Sequence, residues 1–365
     1  MTKARTNASA SPAVGRNMVI NGAMNVAQRS ASVTGLGAAS GYFTLDRWYI
    51  AEGDASAGRF TMSQTADGPN GISANCLKLD CTTADTSIAA GETLILRQRF
   101  EGQNLQRIGK GVAGAKQITV SFYVKANAAF TFGVELFDED NARQITKLFA
   151  TTTDWVRHEL TFAADEDDGS SPFADDNANS LILAFWLHGG ATYTGGTLNT
   201  ATFANNTNAN RAAGIDSFFS STDNNFFITG VQMEVGPVAT EFEQEDISTT
   251  LGKCQRYYYK TGPLVNNDTF CLGFNASTTV AVGVTDFPVT MRAEPTALEQ
   301  NGTPAHYKIA HASTVTTCSA GPSFYTATVG SGTATFTVSS GLTAGQGIEI
   351  RSLNSTAFLA WSAEL

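Results

Sequence analysis

Apolar and polar side chains alternate in short runs along most of this chain. In the run QITVSFYVK, Ile118, Val120 and Phe122 fall on one side, and Thr119 and Ser121 fall on the other. Because successive side chains of a β-strand point to opposite faces, this spacing predicts half-buried strands in antiparallel sheets. Similar runs recur between turns rich in Gly, Asn, Asp and Ser, so the sequence predicts an all-β fold.

One apolar run departs from this alternation. Residues 181–190, LILAFWLHGG, are apolar on both faces. A strand of this kind is typically buried on both sides. The run is therefore expected to be a central strand or a strand that meets another subunit.

A helical pattern interrupts the strands near residue 250. One apolar face recurs at spacings of four, three and four residues, in Ile247, Leu251, Cys254 and Tyr258. Short strand-like runs resume after it and continue to the end of the sequence. The pattern predicts a short connector helix between a large first β domain and a second, smaller β-sandwich.

The charge balance limits the possible partners. The formal net charge is −10 and charged residues make up 15% of the chain, which argues against nucleic acid binding because phosphate contacts need clustered Lys and Arg. No run of about 18 apolar residues is present, so membrane insertion is not expected. The five cysteines have no CxxC spacing and are expected to be reduced, buried thiols.

The densest cluster of ionisable side chains is the acidic segment 164–180, ADEDDGSSPFADDNANS. Its oxygen ligands suit calcium, although the spacing is not that of an EF-hand loop, and the alternative is a plain solvated loop. Catalysis by a carboxylate pair is disfavoured, since such pairs need a cleft and a raised pKa, so no enzymatic activity and no other cofactor are expected. The candidate calcium ligands are Asp165, Asp167, Asp168, Asp175 and Asp176.

Two aromatic-rich segments are candidate contact surfaces. The long loop 189–225 carries Tyr193, Phe203 and Arg211 among several Asn residues, which suits either subunit packing or contact with a receptor or glycan. The three tyrosines Tyr257, Tyr258 and Tyr259 follow the connector. They are expected to pack between subunits around a three-fold axis.

Several motifs resemble those of bacteriophage virion appendages, the tail-fibre and head-fibre proteins. The pair NMVINGAMNVAQRS and YFTLDRWYI resembles the opening of such proteins, and QMEVGPVATEFE followed by CQRYYYK resembles the close of the same module. The tail GLTAGQGIEIRSLNSTAFLAWSAEL is similar to the distal ends of phage fibres. The resemblance covers both ends of the chain and the connector between the two domains. The middle of the first domain is similar only in its general residue pattern.

The resemblance implies a domain organisation and an assembly. Residues 1–16 would be an N-terminal arm that docks on other virion proteins, and 17–245 a jelly-roll β-sandwich like those of carbohydrate-binding modules. Residues 246–262 would be the connector helix and 263–365 a distal β-sandwich knob, with the whole protein a homotrimer. In the motifs, Arg29 and Arg47 are each expected to bind a carboxylate such as Glu234 or Glu243.

The function predicted from these features is that of a virion structural protein. It would be a tail fibre or receptor-binding appendage that engages a glycan on the host surface through the distal knob. One alternative is a head fibre or capsid decoration protein, and another is a polysaccharide-degrading spike.

Overall fold

A computed structural model describes residues 15–54, 56–166, 171–262, 265–312 and 314–365. Contacts within the chain divide it into two compact units, with the boundary between Ile247 and Ser248. The predicted calcium ligands Asp167 and Asp168, and residues 1–14 of the predicted arm, lie outside the described residues.

The described part of the first unit consists of two antiparallel sheets. A six-stranded sheet has the order β1-β4-β5-β13-β7-β10, and a seven-stranded sheet has the order β12-β9-β8-β11-β6-β3-β2. The strands are β1 Ser32–Leu36, β2 Gly41–Tyr42, β3 Tyr49–Gly53, β4 Arg59–Thr65, β5 Cys76–Thr83, β6 Thr93–Glu101, β7 Ile118–Ala126, β8 Thr131–Asp138, β9 Arg143–Ala150, β10 Val156–Phe162, β11 Asn179–Gly189, β12 Ala204–Asn205 and β13 Asn225–Val235.

The described part of the second unit is smaller and also consists of antiparallel sheets. A three-stranded sheet has the order β14-β23-β17, and a seven-stranded sheet has the order β19-β18-β22-β15-β16-β21-β20. The strands are β14 Tyr258–Thr261, β15 Thr269–Asn275, β16 Val280–Asp286, β17 Glu299–Gln300, β18 Tyr307–His311, β19 Thr314–Thr317, β20 Ser323–Ala327, β21 Ser331–Thr337, β22 Gly347–Ser352 and β23 Leu359–Ser362.

Helices are short. In the described residues, α1 is Ala191–Thr194 and α2 is Ile247–Gln255, and 3₁₀ turns occur at Gly102–Asn104, Gln106–Ile108, Asn208–Asn210, Phe218–Ser220 and Pro304–His306. None of these helices is long and apolar enough to cross a membrane. The all-β prediction with β-sandwich domains is confirmed.

The alternating runs fill the core of the first unit. Phe122 of β7 and Phe185 of β11 are fully buried, and their rings meet edge to face at 5.1 Å. Strand β11 lies between β8 and β6, so the apolar run at 181–190 is a central strand. The five cysteines are free and buried, as the sequence predicts.

The Asn-Gly pair of the first motif fixes a turn against strand β13. The buried Asn21 side chain makes four hydrogen bonds, two donated to the carbonyls of Val26 and Asp46 and two accepted from the amides of Asn25 and Val26. A Cβ at Gly22 would lie 2.1 Å from the carbonyl oxygen of Val231, so only glycine fits this close approach.

Glu234 and Glu243, the two acids named as examples of partners for the motif arginines, bind other groups. Glu243 accepts from the amides of Gly15 and Asn17, and Glu234 accepts from Thr240 and Gln232 and lies 3.9 Å from the Arg16 guanidinium. Neither acid binds a motif arginine, because both carboxylates are taken up by segments that pack beside β13.

The connector helix also differs from its predicted face. It ends at Gln255, Ile247 is 53% exposed, and the buried positions are Thr250 and Cys254. Tyr258 lies on strand β14 and not on the helix. The predicted four-three-four pattern therefore combined residues of the helix with a residue of the strand that follows.

Glu52 of β3 is an unusual group in this sandwich. Both of its carboxylate oxygens are buried without a hydrogen-bond partner. Burial raises its pKa from 4.5 to about 8, against the attraction of Arg59 and with added repulsion from Glu92. The folded state therefore binds a proton at Glu52 more tightly than the unfolded chain does.

We predict that Glu52→Gln stabilises the protein in a pH-dependent way. With a raised folded pKa, the wild-type protein loses stability as the pH rises from about 4.5 to about 8, whereas glutamine has no proton to lose. The melting temperature of the variant should match the wild type near pH 4 and exceed it increasingly up to pH 8. Glu294→Gln, at an exposed position, is the control; a constant difference at all pH values would contradict the assignment.

Candidate functional site

Part of the loop 189–225 lies on the outer face of the seven-stranded sheet. Along β11, Leu183, Phe185 and Leu187 point into the main core, whereas Ala184 and Trp186 belong to a separate buried cluster on the other side. This second cluster includes Ala212 of the loop. The loop therefore has a packing role against this sheet.

Arg211 and Tyr193 meet at Trp186. Arg211 donates from Nε and Nη2 to the two carboxylate oxygens of Glu135, each at 2.8 Å, and its guanidinium lies 5.1 Å from the Trp186 ring. The Tyr193 ring lies 5.3 Å from the same indole. Burial lowers the pKa of Arg211, but attraction to Glu135 more than offsets this and the net pKa is raised.

Phe203 is separated from these two residues. Its side chain is buried in the main core, and its carbonyl accepts a hydrogen bond from Arg143 at 3.0 Å. The structure thus brings together two of the three predicted contact residues of the loop. All three predicted contact residues make these contacts with other residues of the same chain.

The described acidic residues of the segment 164–180 do not lie together. Asp165 is buried and its carboxylate is bound by Arg143, with two N–O distances of 3.1 Å. Asp175 and Asp176 are exposed. Within the described ranges, no group of three or more Asp, Glu, His or Cys side chains is placed to hold a metal ion.

The three tyrosines pack within the second unit. Tyr257 and Tyr258 are each 2% exposed, and the Tyr258 hydroxyl donates to Glu299 at 3.0 Å. The Tyr259 ring stacks on Trp361 with centroids 6.3 Å apart and 13° between the planes. Tyr259 alone keeps partial exposure, and packing around a three-fold axis stays a prediction.

A buried histidine at the end of β11 contacts both a serine and an acid. His188 Nδ1 lies 2.8 Å from Ser217 Oγ, and Nε2 lies 3.4 Å from Glu92 Oε2. Burial lowers the pKa of His188, partly offset by Glu92. Because the imidazole is fully buried, this chain of contacts joins the loop to the sheet and presents no reactive face to a substrate.

Aromatic rings also lie on the outer face of the six-stranded sheet, in residues that the sequence reasoning did not single out. Phe226 is in the core, so its neighbour Phe227 points outward. The Phe227 ring meets the Trp155 ring at 6.3 Å with 75° between their planes. Both rings are half-buried, and we name them, together with Tyr123, Lys78 and Lys125, the aromatic platform.

Lysines flank the rings of the aromatic platform. Phe227 pairs in register with Lys125 on one side and Lys78 on the other. Their ammonium groups lie 4.8 and 5.5 Å from the centroid of the Phe227 ring, and that of Lys125 lies 5.2 Å from the Trp155 ring. These are cation–π distances.

Each cation of the platform has its own carboxylate. Lys125 binds Asp67 at 2.7 Å and Lys78 binds Asp80 at 3.0 Å. Trp155 Nε1 donates to the Asp67 carbonyl at 3.0 Å, which fixes the indole at the edge of the sheet. The result is a pair of rings surrounded by charged hydrogen-bonding groups with little net charge.

Comparison with known proteins adds likeness of fold only. No family model matches the chain, and no curated protein matches it. A solved structure described as "CBM4 structure and function" matches with a TM-score of 0.31 and 12% identity, over 59% of this chain and 97% of that one. A structure of TmCBM61 in complex with β-1,4-galactotriose matches with a TM-score of 0.31 and 10% identity, over 60% of this chain and 99% of that one.

A phage protein is also among the similar structures. The enzymatically active domain of bacteriophage CBA120 tailspike protein 4 matches with a TM-score of 0.31 and 12% identity, over 60% of this chain and 21% of that one. At this TM-score the likenesses carry no argument about binding or catalysis. The function must be argued from the side chains.

We predict that Arg211→Ala strongly destabilises the first unit. It leaves the fully buried Glu135 carboxylate without its cation, at a cost of about 3–5 kcal/mol in free energy of unfolding. Lys78→Ala, which breaks an exposed pair, should cost about 0–1 kcal/mol. Denaturant unfolding measures both.

The double variant Arg211→Ala/Glu135→Gln tests the cause. It removes the unpaired charge, so it should be more stable than Arg211→Ala alone. Equal or lower stability of the double variant would show that packing of the guanidinium on Trp186, and not the buried carboxylate, dominates.

Proposed function

We propose that this chain is a bacteriophage virion appendage protein that binds a glycan of the host surface through the aromatic platform. The observation that carries the binding proposal is the pair of half-buried rings, Trp155 and Phe227, among paired lysines and aspartates on an outer sheet face. The motif resemblance at both ends of the chain supports the virion assignment.

The platform has the two kinds of group that a sugar needs. The C–H faces of a sugar ring pack on aromatic faces, and the Trp155 and Phe227 rings, set at 75°, form a corner for this purpose. Lys125 lies beside both rings and Asp67 lies beside Lys125, so a donor and an acceptor for sugar hydroxyls stand at the same corner.

The charge balance favours binding by contact and not by long-range attraction. Each platform lysine is matched by an aspartate, and the whole chain carries −10. Steering of an acidic polymer needs excess positive charge. We therefore expect affinity that changes little between low and high salt.

The proposal places the contact in the first unit, whereas the sequence reasoning favoured the distal knob at 263–365. The exposed rings of the second unit include Phe274 and Tyr325. Among the described residues of that unit, no lysine–aspartate pair lies beside them like those beside Trp155 and Phe227. Homotrimer formation and docking of residues 1–16 on the particle belong to the same proposal, as does the absence of catalysis.

We predict that Trp155→Ala and Phe227→Ala each weaken glycan binding about three- to tenfold, the effect expected for losing an aromatic contact of about 0.5–1.5 kcal/mol. The measurement is binding of purified protein to an array of host-surface glycans, followed by titration of the best ligand. Tyr325→Ala, which removes an exposed ring elsewhere, should leave binding unchanged. If all three variants bind the glycan with equal affinity, the aromatic platform is not the binding site.

An adsorption experiment with whole virions distinguishes the receptor-binding role from the alternative of a head fibre or decoration protein. Virions that carry Trp155→Ala should adsorb to host cells more slowly at unchanged particle stability. Normal adsorption would favour the decoration role. Release of reducing ends from the bound glycan would instead support the polysaccharide-degrading alternative.

A further inference from the structure

A lysine and an aspartate meet in the interior of the first unit. Lys110 follows the 3₁₀ turn Gln106–Ile108, and Asp138 ends strand β8. Lys110 Nζ lies 2.5 Å from Asp138 Oδ2, and the two side chains are 3% and 0% exposed. The proposed glycan binding does not involve this pair.

The pair is shielded from solvent by apolar and polar neighbours. The ammonium lies 5.4 Å from the centroid of the Phe173 ring and also donates to the carbonyl of Ser171 at 2.8 Å. The cavity beside it is lined by Ile108, Ile118, Phe203 and Asp165, among others. Burial raises the pKa of Asp138, although hydrogen bonding and attraction from Lys110 act against the rise. Burial therefore favours the neutral carboxylic acid at Asp138.

We propose that Lys110 and Asp138 condense to an intramolecular isopeptide bond. A buried amine in contact with a buried carboxyl group has the arrangement that this bond requires, and the fold holds both in place. Since both ends of the bond belong to one chain, the product is a covalent link between the segment before β7 and the end of β8.

The reaction balances without a further reagent. One ammonium proton passes to the Asp138 carboxylate, and the free amine attacks Cγ to form the C–N bond. The bond between Cγ and one carboxyl oxygen then breaks, and that oxygen leaves as water with two protons that began on Nζ. The starting ion pair thus becomes an amide and one water molecule.

Neighbouring groups hold both reacting side chains. The backbone amide of Asn141 donates to Asp138 Oδ1 at 3.2 Å, which stabilises negative charge on that oxygen while the tetrahedral intermediate exists. The side-chain amide of Asn141 donates to Asp138 Oδ2 at 3.1 Å, and the carbonyl of Ser171 accepts from Lys110 Nζ at 2.8 Å. The amine and the carboxyl group are therefore fixed against each other from both sides.

The intact mass of purified full-length protein tests the proposal. The mass should fall short of the mass of the sequence by one water, after allowance for removal of Met1. A digest with a protease specific for lysine and arginine should contain one branched peptide that joins the Lys110 and Asp138 segments. A full sequence mass, or a water loss that maps elsewhere, would overturn the proposal.

The chain supplies a matched internal control. Lys125 and Asp67 form a pair at nearly the same distance, 2.7 Å, but with side chains 19% and 52% exposed. These two residues should appear only in linear peptides, because water reaches both side chains and competes for their contact. A branch at Lys125–Asp67 would show that proximity alone is sufficient and would remove the argument from burial.

Two variants test the reacting groups. Asp138→Ala and Lys110→Arg should each show the full mass, and Lys110→Arg keeps the buried cation in case Asp138→Ala fails to fold. Loss of one water in Lys110→Arg would contradict the assignment of Lys110 as the attacking group.

Discussion

The first unit depends on how its N-terminal segment bridges the two sheets. The amide of Met18 donates to Met233 of the six-stranded sheet at 2.9 Å. Two residues later, Ile20 exchanges two hydrogen bonds with the side chain of Gln98 on the seven-stranded sheet. Asn21 then holds the turn that follows with its four bonds. The conspicuous first motif of the sequence thus has a structural role: it fixes the distance and register between the sheets, on which the core and both outer faces depend.

Elements with strong local periodicity could be predicted from the sequence, and contacts between distant segments could not. The alternation at 118–124 and the apolar run at 181–190 each specify a strand through their own side chains. The aromatic platform arises only because β13 pairs with both β7 and β5, which sets Lys125 and Lys78 on either side of Phe227. Two adjacent residues of a strand point to opposite faces. The pair Phe226 and Phe227 could therefore have predicted that one of the two rings points outward.

The predicted site residues illustrate the same limit. From the sequence, Arg211 and Phe203 are both loop residues that could contact a partner. In the structure, Arg211 binds a buried glutamate and Phe203 lies in the core. Their partners, Glu135 and the main-core residues, are far away in sequence. The tyrosine cluster likewise finds its neighbours, Glu299 and Trp361, only through sheet pairing within the second unit.

The buried thiols have a consequence for the resistance of the chain to oxidation. Burial raises the pKa of Cys271 and of Cys318 to about 12 and that of Cys81 to about 11, so the reactive thiolate is scarce at neutral pH. All five are free, and the fold relies on no disulfide. Air oxidation of Cys81, Cys271 and Cys318 is therefore expected to be slow, because oxidants react with the thiolate form that burial disfavours.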